Sequence, residues 1–166
     1  MEATLWQRLD EIITRTVRPM AERCDEESLF CGESVRAWPT PDSWASLSSE
    51  QGGRGSSYES YVRCVERLSK ACPSVGVTYA THVGLACHPL HAFGSPMQKE
   101  SFLRPMLRGD KLGAFALTSP RPGRTWGPSP PRRSWTAAST SSTDTRYSSP
   151  MPQADIYILL PVPAGR

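Results

Sequence analysis

Three histidines, five cysteines, a short acidic run, a glycine-rich pentapeptide and one apolar stretch are the residues here whose types could do chemistry. His88 and His91 stand three apart, a helical spacing that could let two imidazoles share a metal. With no third ligand near them in the sequence, they read as core or pocket-lining side chains, and His82 as another lone histidine. Cys24, Cys31, Cys64, Cys72 and Cys87 are odd in number and widely spaced, with no C-x-x-C pair. They read as free, buried or half-buried thiols in a reducing compartment. The acids at 25–27 read as a solvated helix end. Residues 51–55, QGGRG, lack the preceding strand and the G-x-x-x-x-G-K-[ST] spacing of a phosphate cradle, and read as a turn. That leaves residues 112–120, LGAFALTSP. This run, opened by Gly113 and closed by Thr118, Ser119 and Pro120, reads as a buried strand. It ends at a loop where backbone groups could meet a ligand.

The elements that must position this stretch are mostly helices. Leu5, Trp6, Leu9, Ile12, Ile13, Val17 and Met20 recur at three- and four-residue steps, which predicts an amphipathic helix over residues 2–24. Residues 38–49 fit no period. Ser56 and Glu59 have capping-box spacing ahead of a face made by Tyr58, Tyr61, Val62, Val65 and Leu68. That helix should end at Cys72-Pro73, because the residue before proline is pushed out of the helical region. Residues 74–93 are apolar almost all round, as suits a helix packed on several sides, with Pro89 expected to cost a hydrogen bond and kink it. Ser95-Pro96-Met97-Gln98 combines an N-cap serine, a first-turn proline and a capping-box glutamine. Phe102, Leu103, Met106 and Leu107 supply that helix with a buried face, and Gly109 with a stop.

The 166 residues suffice for one ordinary domain, or one domain and part of a second. No run of about 18 apolar residues is present to span a membrane, and the N-terminus lacks the pattern of a secretory signal. The net charge of +3 does not mark a nucleic-acid surface, because the basicity is local. Residues 119–152 carry Arg121, Arg124, Arg132, Arg133 and Arg146 against one acid, Asp144; the remainder is slightly acidic.

Residues 70–120, KACPSVGVTYATHVGLACHPLHAFGSPMQKESFLRPMLRGDKLGAFALTSP, closely resemble the flavin-dependent acyl-CoA dehydrogenase family. In that family a buried helix ending A-F-G is followed by a short Gln-containing helix ending in Gly, and then by a K-L-G-A-F-A-L-T-E-P strand. The first helix and residues 35–37 also fit, so the likeness covers about 100 residues. The resemblance implies a mainly α fold. A helical N-terminal domain (1–110) would be followed by an incomplete β middle domain (111–166), with a largely disordered segment at 119–152. It implies FAD as cofactor, with Phe115, Ala116, Leu117 and Thr118 giving backbone and hydroxyl contacts to the flavin ring. It also implies α,β-dehydrogenation of acyl-CoA thioesters, electron-transferring flavoprotein as partner, and assembly as a homo-oligomer. The setting would be the cytoplasm, or the mitochondrial matrix in a eukaryote, with no membrane or nucleic-acid partner. The catalytic glutamate belongs to a third, C-terminal helical domain with no counterpart among these residues.

The sequence departs from the family after Thr118. Ser119 replaces the family's acid, and Arg124-Thr125-Trp126 stands where small polar residues belong. Residues 119–152 are dominated by Ser, Pro, Arg and Thr and contain no Leu, Ile or Val. Such a segment buries too little apolar surface to offset its ordering entropy. At 153–160, QADIYILL, a strand in the family's manner resumes. Collapse and recovery of this kind suggest translation out of frame. Permissible codons for 124–152, and for 38–47, can be read one nucleotide over as family-like sequence. The chain as written is therefore expected neither to hold flavin tightly nor to turn over acyl-CoA. The alternative is a helical interaction module whose basic Ser/Arg/Pro tail binds RNA or a protein partner.

Overall fold

The computed structural model describes residues 2–36, 57–116, 136–138 and 154–159. Among these, every helix precedes residue 109 and every strand follows residue 112. Helix α1 spans residues 2–26, with Leu9, Ile13 and Val17 buried and Trp6, Ile12 and Met20 packed beside them, the predicted stripe. The short helix α2 is Gly32–Arg36, and α3 is Tyr58–Ala71. Helix α4 covers residues 73–93 and α5 residues 96–108.

The boundaries show how closely local chemistry sets these helices. Cys72 is extended ahead of Pro73, which ends α3 and opens α4 as expected. At α5 the capping box is complete. Ser95 Oγ accepts from Gln98 N–H at 3.3 Å, and Gln98 Oε1 accepts from Ser95 N–H at 2.9 Å. Gly109 closes α5 at φ 78°, a left-handed turn that favours glycine.

Two expectations are corrected at α3. The cap is Ser57, which accepts from Ser60 N–H at 3.2 Å, while Glu59 pairs outward with Arg63. Ser56 lies outside the described residues. The buried face is Ser60, Cys64 and Leu68 flanked by Tyr61 and Val65, because those positions follow one helical stripe. Tyr58 and Val62 sit at its edge and are exposed.

Pro89 does not end its helix. The backbone widens into a π-helical stretch, Thr81–Cys87, just before His88-Pro89. The same arrangement recurs at Ile13–Val17 before Arg18-Pro19 and at Lys99–Leu103 before Arg104-Pro105. In each case the residue before proline donates to the carbonyl five residues back: Arg18 to Ile13, His88 to Val83, Arg104 to Lys99. Widening the turn makes room for the proline ring and its missing donor without breaking the helix.

Three short strands follow: β1 (Gly113–Ala116), β2 (Thr136–Ala138) and β3 (Ile156–Leu159). Their order is β1-β3-β2, with β1 parallel and β2 antiparallel to β3. Both sequence-predicted strands form, and β2 adds a third within 119–152. The stretches 38–49 and 51–55, and the rest of 119–152, lie outside the described residues. Ile156 and Ile158 join the helical core, as does half-buried Phe115, so one face of the β1–β3 pair rests on the helices.

Candidate functional site

Strand β1 lies at one edge of the sheet, and the pairing register decides which of its backbone groups face that edge. Ile156 N–H donates to Leu112 C=O at 3.1 Å. With Gly113 opposite Ile156 in a parallel ladder, Leu112, Ala114 and Ala116 turn their amides and carbonyls toward β3. Gly113 and Phe115 turn theirs the other way, to the edge left open among the described residues. Phe115 thus presents one donor and one acceptor along that edge.

The start of β1 is tied on both sides. Leu112 N–H donates to Asp155 Oδ2 at 2.8 Å, and Asp155 N–H returns a bond to Leu112 C=O at 2.8 Å. On the opposite side Gly113 N–H donates to Nδ1 of His82, in the π-helical part of α4, at 2.8 Å. His82 is fully buried. With Nδ1 accepting, the ring proton sits on Nε2, which faces Cys87 Sγ at 3.3 Å. Burial lowers the His82 pKa to about 3, so the ring is neutral across the physiological range.

Gly113 is required by close approach. A Cβ there would collide with Met106 Sδ and would lie 2.7 Å from Ala86 Cβ. Strand β1 therefore lies directly on α4 and α5.

Of the four residues expected to contact flavin, Phe115 and Ala116 are described. Ala116 is buried, and Phe115 packs on the helical core with its backbone at the open edge. Leu117 and Thr118 lie outside the described residues. His88 is exposed and His91 half-buried, with burial pushing the His91 pKa down. Among the described residues no group of three or more His, Cys, Asp or Glu is placed to hold a metal. The five cysteines are free and buried, as read from the sequence. Burial raises the Cys64 thiol to about 11 and pushes Cys31 and Cys87 higher still, which suits inert core side chains. The pair that sequence reasoning missed is His82 with Gly113. Its signal was a polar ring inside an apolar helix and a glycine at the mouth of a strand.

A helical unit feeding a strand that is anchored at its start defines a helix-then-sheet class of protein. The family described as acyl-CoA dehydrogenase, N-terminal domain, matches residues 2–110. This chain belongs to the acyl-CoA dehydrogenase family. A short-chain-specific acyl-CoA dehydrogenase of Clostridium acetobutylicum is 34% identical over 118 residues, covering 70% of this chain and 31% of that protein. Butyryl-CoA dehydrogenase from Megasphaera elsdenii superposes with a TM-score of 0.66 at 29% identity, covering 73% of this chain and 33% of that one. An acyl-CoA dehydrogenase from Bacillus anthracis, complexed with FAD, gives 0.62 at 25% identity, over 73% of this chain and 21% of that one. The chain thus spans about a third of the length of the curated relative and less of the last structure. Among the described residues no helix is long and apolar enough to cross a membrane.

Proposed function

We propose that these residues form the helical domain and the first flavin-facing strand of an acyl-CoA dehydrogenase, divided at about residue 110. The observation that carries this reading is the open edge of β1. The alternating donor and acceptor of Phe115 suit the alternating acceptors and donors on the pyrimidine rim of a flavin. Leu117 and Thr118 would extend the same edge. Bound there, FAD would supply the hydride-accepting chemistry by which the family oxidises acyl-CoA thioesters. The chain's own contribution is placement: the helices fix the strand, and the strand presents fixed backbone dipoles to the ring. Proton abstraction falls to the glutamate of the family's C-terminal domain. Electron-transferring flavoprotein would take the electrons, a homo-oligomer would be the working form, and the cytoplasm or mitochondrial matrix the setting.

The 166-residue polypeptide is expected to retain no stoichiometric flavin and to show no acyl-CoA-dependent dye reduction, because the family's loop after Thr118 is replaced. A purified sample with one bound yellow flavin per chain would overturn that expectation. The nucleotide sequence tests the ancestry of the replaced stretches. Family-like readings in a neighbouring frame through 38–47 and 124–152 are expected; their absence would dismiss the out-of-frame account.

A further inference from the structure

We infer that His82 is the positioning residue for the flavin-facing strand, setting the height of β1 on the helices through its bond to Gly113 N–H. This rests on the reading of β1 as a flavin edge and deepens it.

Along the open edge the outward amides recur every second residue, at Gly113 and then Phe115. His82 takes the first, one repeat before the amide offered to a ligand. A strand rises about 3.3 Å per residue, so the anchor lies only about 7 Å from the Phe115 amide. An error in the placement of Gly113 therefore reaches Phe115 with little room to relax. The anchor is itself held. His82 is fully buried, its Nε2 faces Cys87, and the Met106 backbone also bonds the ring. Gly113 lets the strand approach Ala86 and Met106 closely enough for the bond to form. On the other side Asp155 ties the preceding amide, that of Leu112, so two consecutive amides are fixed in opposite directions. A ligand that needs backbone dipoles at set positions benefits from such prior fixing of its supports.

The test compares His82→Leu, which removes the acceptor, with His82→Asn, whose Oδ1 can stand near the position of Nδ1. Backbone amide exchange is read by NMR on the whole chain, beside the nitrogen–nitrogen coupling across the Gly113–His82 bond in the parent protein. The coupling should be present. In His82→Leu the amides of Gly113, Ala114 and Ala116, which are bonded to His82 or to β3, should lose protection by about ten-fold or more, while those of α3 and the C-terminal half of α5 stay near parent values. His82→Asn should recover most of the loss. Uniform loss across helices and strands, or no rescue by asparagine, would reduce His82 to a core-filling side chain and overturn the inference. No tight quenching of FAD fluorescence is expected from this chain, so the flavin edge is judged by where excess FAD shifts amide resonances. Shifts confined to residues outside 113–116 would count against it, while the exchange pattern still decides the role of His82.

Discussion

The helices before residue 109 and the strands after 112 are specified in different ways. Each helix boundary carries its own code within a few residues: Ser57, Pro73, Ser95 with Gln98, and Gly109. The strands are three or four residues long and hold their places through distant partners. Leu112 is bonded to Asp155 across 43 residues, and Gly113 to His82 across 31. Short strands of this kind have little stability of their own and depend on a surface to rest on. The sheet is therefore a consequence of the helical unit, and damage where they meet should cost more than damage within either.

The largest effect is expected at that junction. Gly113→Val puts a Cβ where Met106 Sδ and Ala86 Cβ already stand, and adds two methyl groups to it. The methionine can swing aside, but Ala86 Cβ is fixed to its helix. A loss of about 3 kcal/mol is expected, read as a lower urea midpoint, with strand amides more exposed than helix amides. A neutral result would mean that β1 does not lie on α4, and the contrast between the regions would collapse.

Acid should act on the same junction through His82. Its pKa falls from 6.5 to about 3 on burial, so the unfolded chain takes up the proton first. Stability from this group is complete above pH 6.5, is lost as pH falls toward 3, and changes no further below that. The slope is at most about 1.4 kcal/mol per pH unit, or about 2–3 kcal/mol between pH 6.5 and 4.5. Asparagine at this position does not titrate, so the urea midpoint of His82→Asn should vary less with pH over that window. Identical pH profiles for parent and variant would show that other groups govern acid sensitivity.

What could be read from the sequence follows the same division. The stripe of α1, the break at Cys72-Pro73, the capping box at Ser95 and the stop at Gly109 are local patterns, and all appear in the structure. The strands at 113–116 and 156–159 were also legible, because short apolar runs bounded by turn residues allow few other forms. The errors at α3 were small: Ser56 and Ser57 are both good caps, and a face read from the bulky apolar residues takes in Tyr58 and Val62 and passes over Ser60 and Cys64. The π-helical stretches had a cue, since each precedes an X-Pro pair inside an apolar helix, but a count of apolar spacing does not reveal it. The His82–Gly113 bond had no local cue strong enough, because its partners meet only when α4, α5 and β1 have packed. For the candidate site the sequence supplied the strand, while its anchor came only from the fold.

The smallest of these effects should come from a purely local change, and its confinement is the sharper result. Ser95→Ala removes the oxygen that accepts Gln98 N–H and leaves the Gln98 side chain to bond the Ser95 backbone alone. An exposed N-cap of this kind is worth about 1 kcal/mol. The first turn of α5 should fray, seen as faster exchange of the Gln98 and Lys99 amides, which bond to Ser95. Leu103, Met106 and Leu107 are fully buried in the same helix and hold its later turns through packing rather than through the cap. Those turns carry the Met106 contact beneath Gly113, so the exchange rates of residues 113–116 should not change beyond the global shift. If loss of this cap exposed β1 as strongly as Gly113→Val does, the helices would not be the independent foundation on which the strand rests, and the two regions would have to be treated as one cooperative unit.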